Sequence, residues 1–188
     1  EMCIRDSIDP GTMTPTIPDA DAVLITHAHA DHLDPDRLPD APLWAPAEAC
    51  EQLGRGTAVS PGETITVAGL DIEVLGGQHA PIHPNIPRPV NVGYYLGGLL
   101  HPGDQYIDHP ANVLLLPIAG PWVKAAEAAD YAQRVGAAVT VPIHDAVLSD
   151  AGRTTFDTML TKAGVQGYKR LNPGEKFTAC LLYTSPSP

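Results

Sequence analysis

Residues 22–34 read Ala22-Val-Leu-Ile-Thr-His27-Ala-His29-Ala-Asp31-His32-Leu-Asp34, an apolar strand running straight into four metal-ligand side chains. In an extended segment, side chains two apart point the same way, so His27 and His29 are placed to grip one cation. Asp31 and His32 follow where the chain turns, within reach of a second cation beside the first. The spacers Ala28 and Ala30 are small and let the backbone run close to the metals. A single histidine near a core is ordinarily a satisfied polar residue. Three histidines and an aspartate in the pattern H-x-H-x-D-H, packed behind Val23-Leu24-Ile25, point to a metal site. Neutral imidazole and carboxylate suit zinc, manganese or iron rather than calcium.

At 188 residues the chain fits one domain, large enough for a core without disulfide staples. Hydrophobic residues make up 44% and charged residues 18%, the balance of a soluble globular protein. Eleven basic residues stand against 22 acidic ones, for a net charge of -11. That balance argues against a nucleic-acid partner, which needs clustered Lys and Arg. No apolar run approaches the length of a membrane span, and no signal peptide is visible. Cys3, Cys50 and Cys180 have neither metal nor redox spacing, so a cytoplasmic protein is expected. Residues 1–7 and 180–188 match no element around them and resemble translated adapter sequence. The genuine domain is expected over residues 8–179, lacking its N-terminal strands.

Outward from the metal segment, Ile8-Asp9-Pro10-Gly11 reads as a strand end running into a turn. Asp34-Pro35 is expected to open a short helix, with Pro in the first turn. A brief strand at 42–46 and a helix over 47–53 follow, the helix stopping before Gly54. Residues 64–67 and 70–74 alternate apolar and polar around Ala68-Gly69, a hairpin signal. Residues 76–89 hold four prolines, which block helix and central strand, so a long functional loop is expected. A second hairpin, 92–96 with 99–100, turns at Gly97-Gly98 and ends in His101-Pro-Gly-Asp104. The last third alternates: a strand at 113–116, a helix over 121–135, a strand at 138–141 running into Pro142-Ile-His144-Asp145, and a final helix. Phe156, Met159, Leu160 and Ala163 are expected on the inner face of that helix, and a terminal hairpin through Pro173-Gly174.

Four loops that follow expected strands therefore offer ligands: His27/His29/Asp31/His32, His79, Asp104 and His144. His27, His29 and His79 would give one metal three nitrogens. Asp31, His32 and His144 would give a second metal a carboxylate and two nitrogens, and Asp104 has two oxygens with which to bridge. His83, four residues beyond His79 in the same loop, competes for the third position of the first site. Asp145 is placed to orient the His144 imidazole. His101 reads equally as a support of the bridging carboxylate or as a turn residue, and His109 as a solvated loop residue.

This arrangement resembles the metallo-β-lactamase superfamily of metal-dependent hydrolases. The resemblance rests on Thr-His-Ala-His-Ala-Asp-His at 26–32, His79, the Gly-Asp of 103–104 and the His of Val-Pro-Ile-His at 141–144. Leu-Leu-Leu-Pro at 114–117 and Pro-Gly-Glu at 173–175 are similar to the branch containing ascorbate-6-phosphate lactonase. The resemblance implies an α+β fold of α/β-type layers, a four-layer αβ/βα sandwich with a dinuclear site at its edge. It also favours His79 as the ligand, because the family places this histidine directly after the strand, and leaves His83 as a substrate contact.

Two divalent metals, zinc foremost and manganese or iron as alternatives, would hold a hydroxide at neutral pH. No serine or cysteine nucleophile is then needed, and no G-x-S-x-G occurs. The expected function is hydrolysis of a small ester, lactone or phosphoester, with Asp31 and Asp104 as catalytic ligands and a small molecule as partner, in a monomer or homo-oligomer. The rivals are a diiron oxidoreductase, which would normally need a flavin-type redox partner, and a non-catalytic metal-binding protein of the same fold.

Overall fold

The computed structural model describes residues 6–67 and 69–178. They form two compact units, one running to Tyr94 and including Pro102–Gln105, the other comprising Tyr95–His101 and the chain from Tyr106 onward. All but one of the expected ligands belong to the first unit; His144 belongs to the second.

The first unit is built on a four-stranded sheet of order β1-β2-β3-β4, formed by Asp6–Ile8, Ala22–Leu24, Leu43–Ala45 and Thr57–Ala58. All three pairings are parallel. β2 is buried throughout, as its unbroken apolar run predicts for a strand covered on both faces. Helix α1 (Ala47–Leu53) follows β3 and stops where Gly54 takes the left-handed conformation, φ 64°. Val23, Ile25, Leu33, Leu43, Ala45 and Ala49 make one apolar cluster between sheet and helix. Full burial of a side chain such as Leu33 contributes about 1.5–3 kcal/mol. Ile25 and, partly buried, Ala28 belong to this cluster, so the segment around His27 leaves β2 from a buried apolar anchor. β5 (Thr64–Val67) and β6 (Leu70–Gly76) form the expected antiparallel hairpin. The proline-rich stretch after β6 has no regular structure, also as expected.

β7 (Val92–Leu96) begins in the first unit. In the second unit, Gly97 and Gly98, both with positive φ, turn the chain into β8 (Leu99–His101). β8, β9 (Val113–Pro117) and β10 (Val139–Ile143) run parallel in the order β10-β9-β8. Helix α2 (Ala125–Val135) connects β9 to β10, buries Ala128, Ala129, Tyr131, Ala132 and Val135, and stops at Gly136. Helix α3 (Asp150–Lys162) begins at Ser149, whose Oγ accepts the Gly152 amide at 3.2 Å.

Several local expectations are corrected. No helix forms at Asp34-Pro35. The Asp34 carboxylate accepts the Asp36 amide at 3.3 Å and Arg37 Nε at 2.5 Å, which holds the segment as a turn. α2 starts at Ala125 rather than at 121, because Val123 N donates to Gly120 O and closes a turn first. Met159 is 44% exposed, and α3 buries Leu160 instead. β4 was not anticipated; both its residues are exposed and carry no alternation to read. No terminal hairpin forms among the described residues: Tyr168 bridges Thr140 in parallel, and Lys169 N donates to Thr140 O. Asp6 and Ser7, placed by sequence outside the fold, lie in β1, so the boundary drawn between residues 7 and 8 falls inside a strand. Residues 1–5 and 179–188 lie outside the described residues.

Candidate metal centre

The turn after β1 sets the site. Asp9 adopts φ 50°, and its carboxylate accepts the Thr26 amide and the Thr26 hydroxyl, each at 2.7 Å. Oδ2 also accepts Nδ1 of His32 at 2.7 Å. Two residues on, Gly11 packs against the metal segment so closely that a Cβ there would lie 1.8 Å from the Asp31 carbonyl oxygen. One short turn thus fixes both ends of the segment 26–32.

Hydrogen bonding then chooses the tautomers. The Thr26 hydroxyl gives its proton to Asp9 and accepts from Nδ1 of His27 at 3.0 Å, which puts the His27 lone pair on Nε2. His27 Nε2 lies 3.0 Å from His29 Nδ1. His79 follows β6; its Nδ1 donates to Ala80 O at 2.6 Å, so its lone pair also sits on Nε2. Asp104 is held from behind by Asn91, whose Oδ1 accepts the Asp104 amide at 3.0 Å and whose Nδ2 donates to Pro102 O at 3.1 Å. Gly103 makes this possible with φ 64°, since a Cβ there would sit 2.6 Å from Asn91 Oδ1.

The two Asp104 oxygens face two imidazoles: Oδ1 lies 3.3 Å from His32 Nε2, and Oδ2 lies 3.3 Å from His79 Nε2. Asp31 Oδ2 stands 3.7 Å from His32 Nε2. In neutral tautomers this sets nitrogen lone pairs against carboxylate lone pairs, an arrangement that positive charge between them relieves. The electrostatics agree. Burial opposes a charge on His32, but Asp9 and Asp104 outweigh it and lift its pKa to about 10. Burial first, and His32 second, press His27 down to about 3, so His27 stays a neutral donor. Burial and then His79 also lower His29.

The donor atoms of His27, His29 and His79 lie within 4.8 Å of one another, as do those of His27, His32 and Asp104. Three imidazole nitrogens, or two with a carboxylate, match the ligand sets of zinc sites that keep an open position. The residues present therefore fit divalent cations.

His144 sits in the second unit at the end of β10, with φ 59°. Its Nδ1 donates to Ala119 O at 2.6 Å, leaving its lone pair on Nε2. Asp145 does not orient this imidazole, contrary to expectation. Its carboxylate pairs with Arg170 and, at 3.4 Å, with Arg153 Nε. Arg170 is further clamped by Asp157, at 2.7 Å from both Nε and Nη2. His83 is exposed, its Nδ1 accepting the Asn85 amide at 3.2 Å, and the structure gathers it into no ligand group among the described residues. His101 is buried. His109 is only half-buried, its ring 4.4 Å from that of Tyr95, and is not the solvated residue expected.

Sequence reading missed Asp9, Thr26 and Asn91 as supports. Asp9 carried one usable signal, an acidic residue before Pro-Gly at a strand end; Asn91 carried none.

Residues 5–144 match the family described as "Beta-lactamase superfamily domain". The chain is 38% identical over 173 residues to Protein Rv0786c of Mycobacterium tuberculosis, covering 82% of each chain. It is 30% identical over 165 residues to a UPF0173 metal-dependent hydrolase of Methanosphaerula palustris, covering 74% of this chain and 75% of the relative. Among solved structures, a candidate metal-dependent hydrolase of Parabacteroides distasonis superposes with TM-score 0.68 at 26% identity, over 88% of this chain and 83% of the other. Igni18, a metallo hydrolase of Ignicoccus hospitalis, also gives TM-score 0.68, at 23% identity over 92% and 91%, and supports the fold.

Proposed function

Since the chain belongs to the metallo-β-lactamase superfamily of metal-dependent hydrolases, with the α+β fold of that family, we propose that it hydrolyses a small ester, lactone or phosphoester at a dinuclear centre. Two bound divalent cations, zinc foremost, would supply a hydroxide at neutral pH and polarise the bond under attack. His27, His29 and His79 are proposed to hold one cation, and Asp31, His32 and His144 the other. Asp104 is proposed to span both. The observation that carries this reading is the placement of Asp104, 97% buried, with one oxygen toward His32 and the other toward His79.

The remaining residues supply order. Asp9 holds His32 and Thr26, Thr26 fixes the His27 tautomer, and Asn91 fixes the Asp104 backbone. Buried His27, His32, His79 and Asp104 exclude bulk water from one side of the centre, while half-buried His29 and Asp31 border the open side. Within this proposal a lactone is favoured over a phosphodiester on the sequence resemblance of Leu-Leu-Leu-Pro at 114–117 and Pro-Gly-Glu at 173–175 alone. No helix among the described residues is long and apolar enough to cross a membrane. The test is elemental analysis of protein purified without chelator, together with a panel of lactone, thioester and phosphodiester substrates. Hydrolysis that depends on added metal and disappears in Asp104→Asn is the expected result. Full activity after exhaustive chelation would overturn it.

A further inference from the structure

The loop that carries His79 also carries a cation, Arg88, that is bonded to the backbone of that histidine. Arg88 stands between Pro87 and Pro89, so the following ring restricts its backbone to extended conformations and both prolines stiffen the segment. The two arms of the loop are laced together near the site. Gly77 N donates to Asn91 O at 2.9 Å, Asn91 N to Gly77 O at 3.4 Å, and His79 N to Pro89 O at 3.1 Å. Across this ladder Arg88 Nε donates to the carbonyl of His79 at 2.6 Å. One edge of the guanidinium is thereby fixed on the backbone of a ligand residue, and the residue is exposed.

Its charge is not neutralised locally. Arg37, Arg134, Arg153 and Arg170 each pair with a carboxylate, whereas Arg55 donates to the Pro39 carbonyl, away from the histidine cluster in the sequence. Among the described residues, Arg88 makes no such pair, although the protein carries 22 acidic residues against 11 basic ones. A guanidinium fork matches carboxylate and phosphate oxygens with two parallel N–H donors. In a protein of net charge -11, a fixed cation beside the centre also offsets the repulsion that an incoming anion meets.

We propose that Arg88 is a substrate-binding residue that anchors an anionic oxygen group, carboxylate or phosphate, on the molecule being hydrolysed. The inference rests on the hydrolytic reading above and narrows it to anionic substrates. A purely structural pin on the His79 backbone would instead act on metal binding, and so on every substrate alike.

The test compares wild type, Arg88→Gln and Arg88→Lys, each loaded with zinc, on two aryl esters that differ only in a distal carboxylate or its methyl ester. Arg88→Gln is expected to lower the ratio of kcat/KM for the anionic over the neutral ester about 10- to 100-fold, with zinc content retained. Arg88→Lys should recover part of the ratio, since it keeps the charge and loses the fork. In parallel, calorimetric titration with inorganic phosphate should show weaker binding to Arg88→Gln than to wild type. An unchanged ratio, or loss of zinc with both esters falling equally, overturns the proposal. So does equal phosphate binding by wild type and Arg88→Gln. If no ester is cleaved by any variant while phosphate binding still depends on Arg88, the hydrolytic reading fails and the anion anchor stands.

Discussion

Asp9 Oδ2 lies 2.7 Å from Nδ1 of His32, and the same oxygen accepts the Thr26 hydroxyl that fixes His27. One carboxylate therefore governs the tautomers of two histidines that are proposed to hold different cations. Replacing Asp9 with Asn removes the charge and offers an N–H where an acceptor is needed. Supports of this kind change metal affinity about 10- to 100-fold. Asp9→Asn should weaken zinc binding by that factor in a competition titration with a chromophoric chelator, while the far-ultraviolet circular dichroism stays native. Unaltered affinity would remove Asp9 from this role.

Metal stoichiometry checks the centre more directly. Elemental analysis should find close to two equivalents of divalent metal per chain after supplementation with zinc, manganese or iron, and close to one in His144→Ala. Fewer than about half an equivalent in wild type after supplementation would contradict the proposed dinuclear centre.

His79 and His83 are separated by the same measurement. His79 is 1% exposed and points its Nε2 at Asp104, whereas His83 is exposed and outside the gathered groups. His79→Ala should lose metal and activity together. His83→Ala should keep its metal, with any kinetic effect confined to KM. The opposite pattern would exchange their roles.

Acid titration reports on the clamp that follows His144. The side-chain hydrogen bonds from Arg170, more than any other contact, hold the Asp157 carboxyl below 3.8. A depressed carboxyl pKa contributes stability that is present above the unfolded value and lost as pH falls through the folded one. Arg170→Met should therefore cost about 1–3 kcal/mol near pH 7 in urea unfolding. The gap from wild type should narrow as the pH drops below about 4, where the unfolded carboxyl is already protonated. A gap that is constant with pH would mean that Arg170 acts through packing alone.

The candidate site was legible in the sequence wherever histidine and carboxylate spacing coincided with a strand end. His27 and His29 follow an apolar run whose burial was obvious, and the first hairpin carried its alternation openly. What escaped was carried by side chains that hydrogen-bond across large sequence separations. Asn91 serves Asp104 from 13 residues away, and Asp9 serves His32 from 23 away. Neither bond leaves a periodic trace. Asp145 misled because adjacency to a histidine suggests a partner, while two arginines hold its carboxylate. The short helix expected at Asp34-Pro35 lost to the bonds from Asp36 and Arg37 to a single aspartate, a local competition that composition does not reveal.

At Gly11 the obstacle to substitution is not conformation but occupied space: the atoms nearest an added Cβ are the Asp31 carbonyl oxygen at 1.8 Å, the Asp31 carbonyl carbon at 2.0 Å and the His32 amide nitrogen at 2.5 Å. All three are main chain, so no rotamer change can make room. A library randomised at position 11 and selected for metal retention should return glycine alone, because even alanine would push Asp31 and His32 off their positions. A methyl group at a residue with no side chain of its own would thus work as an off-switch for the proposed centre.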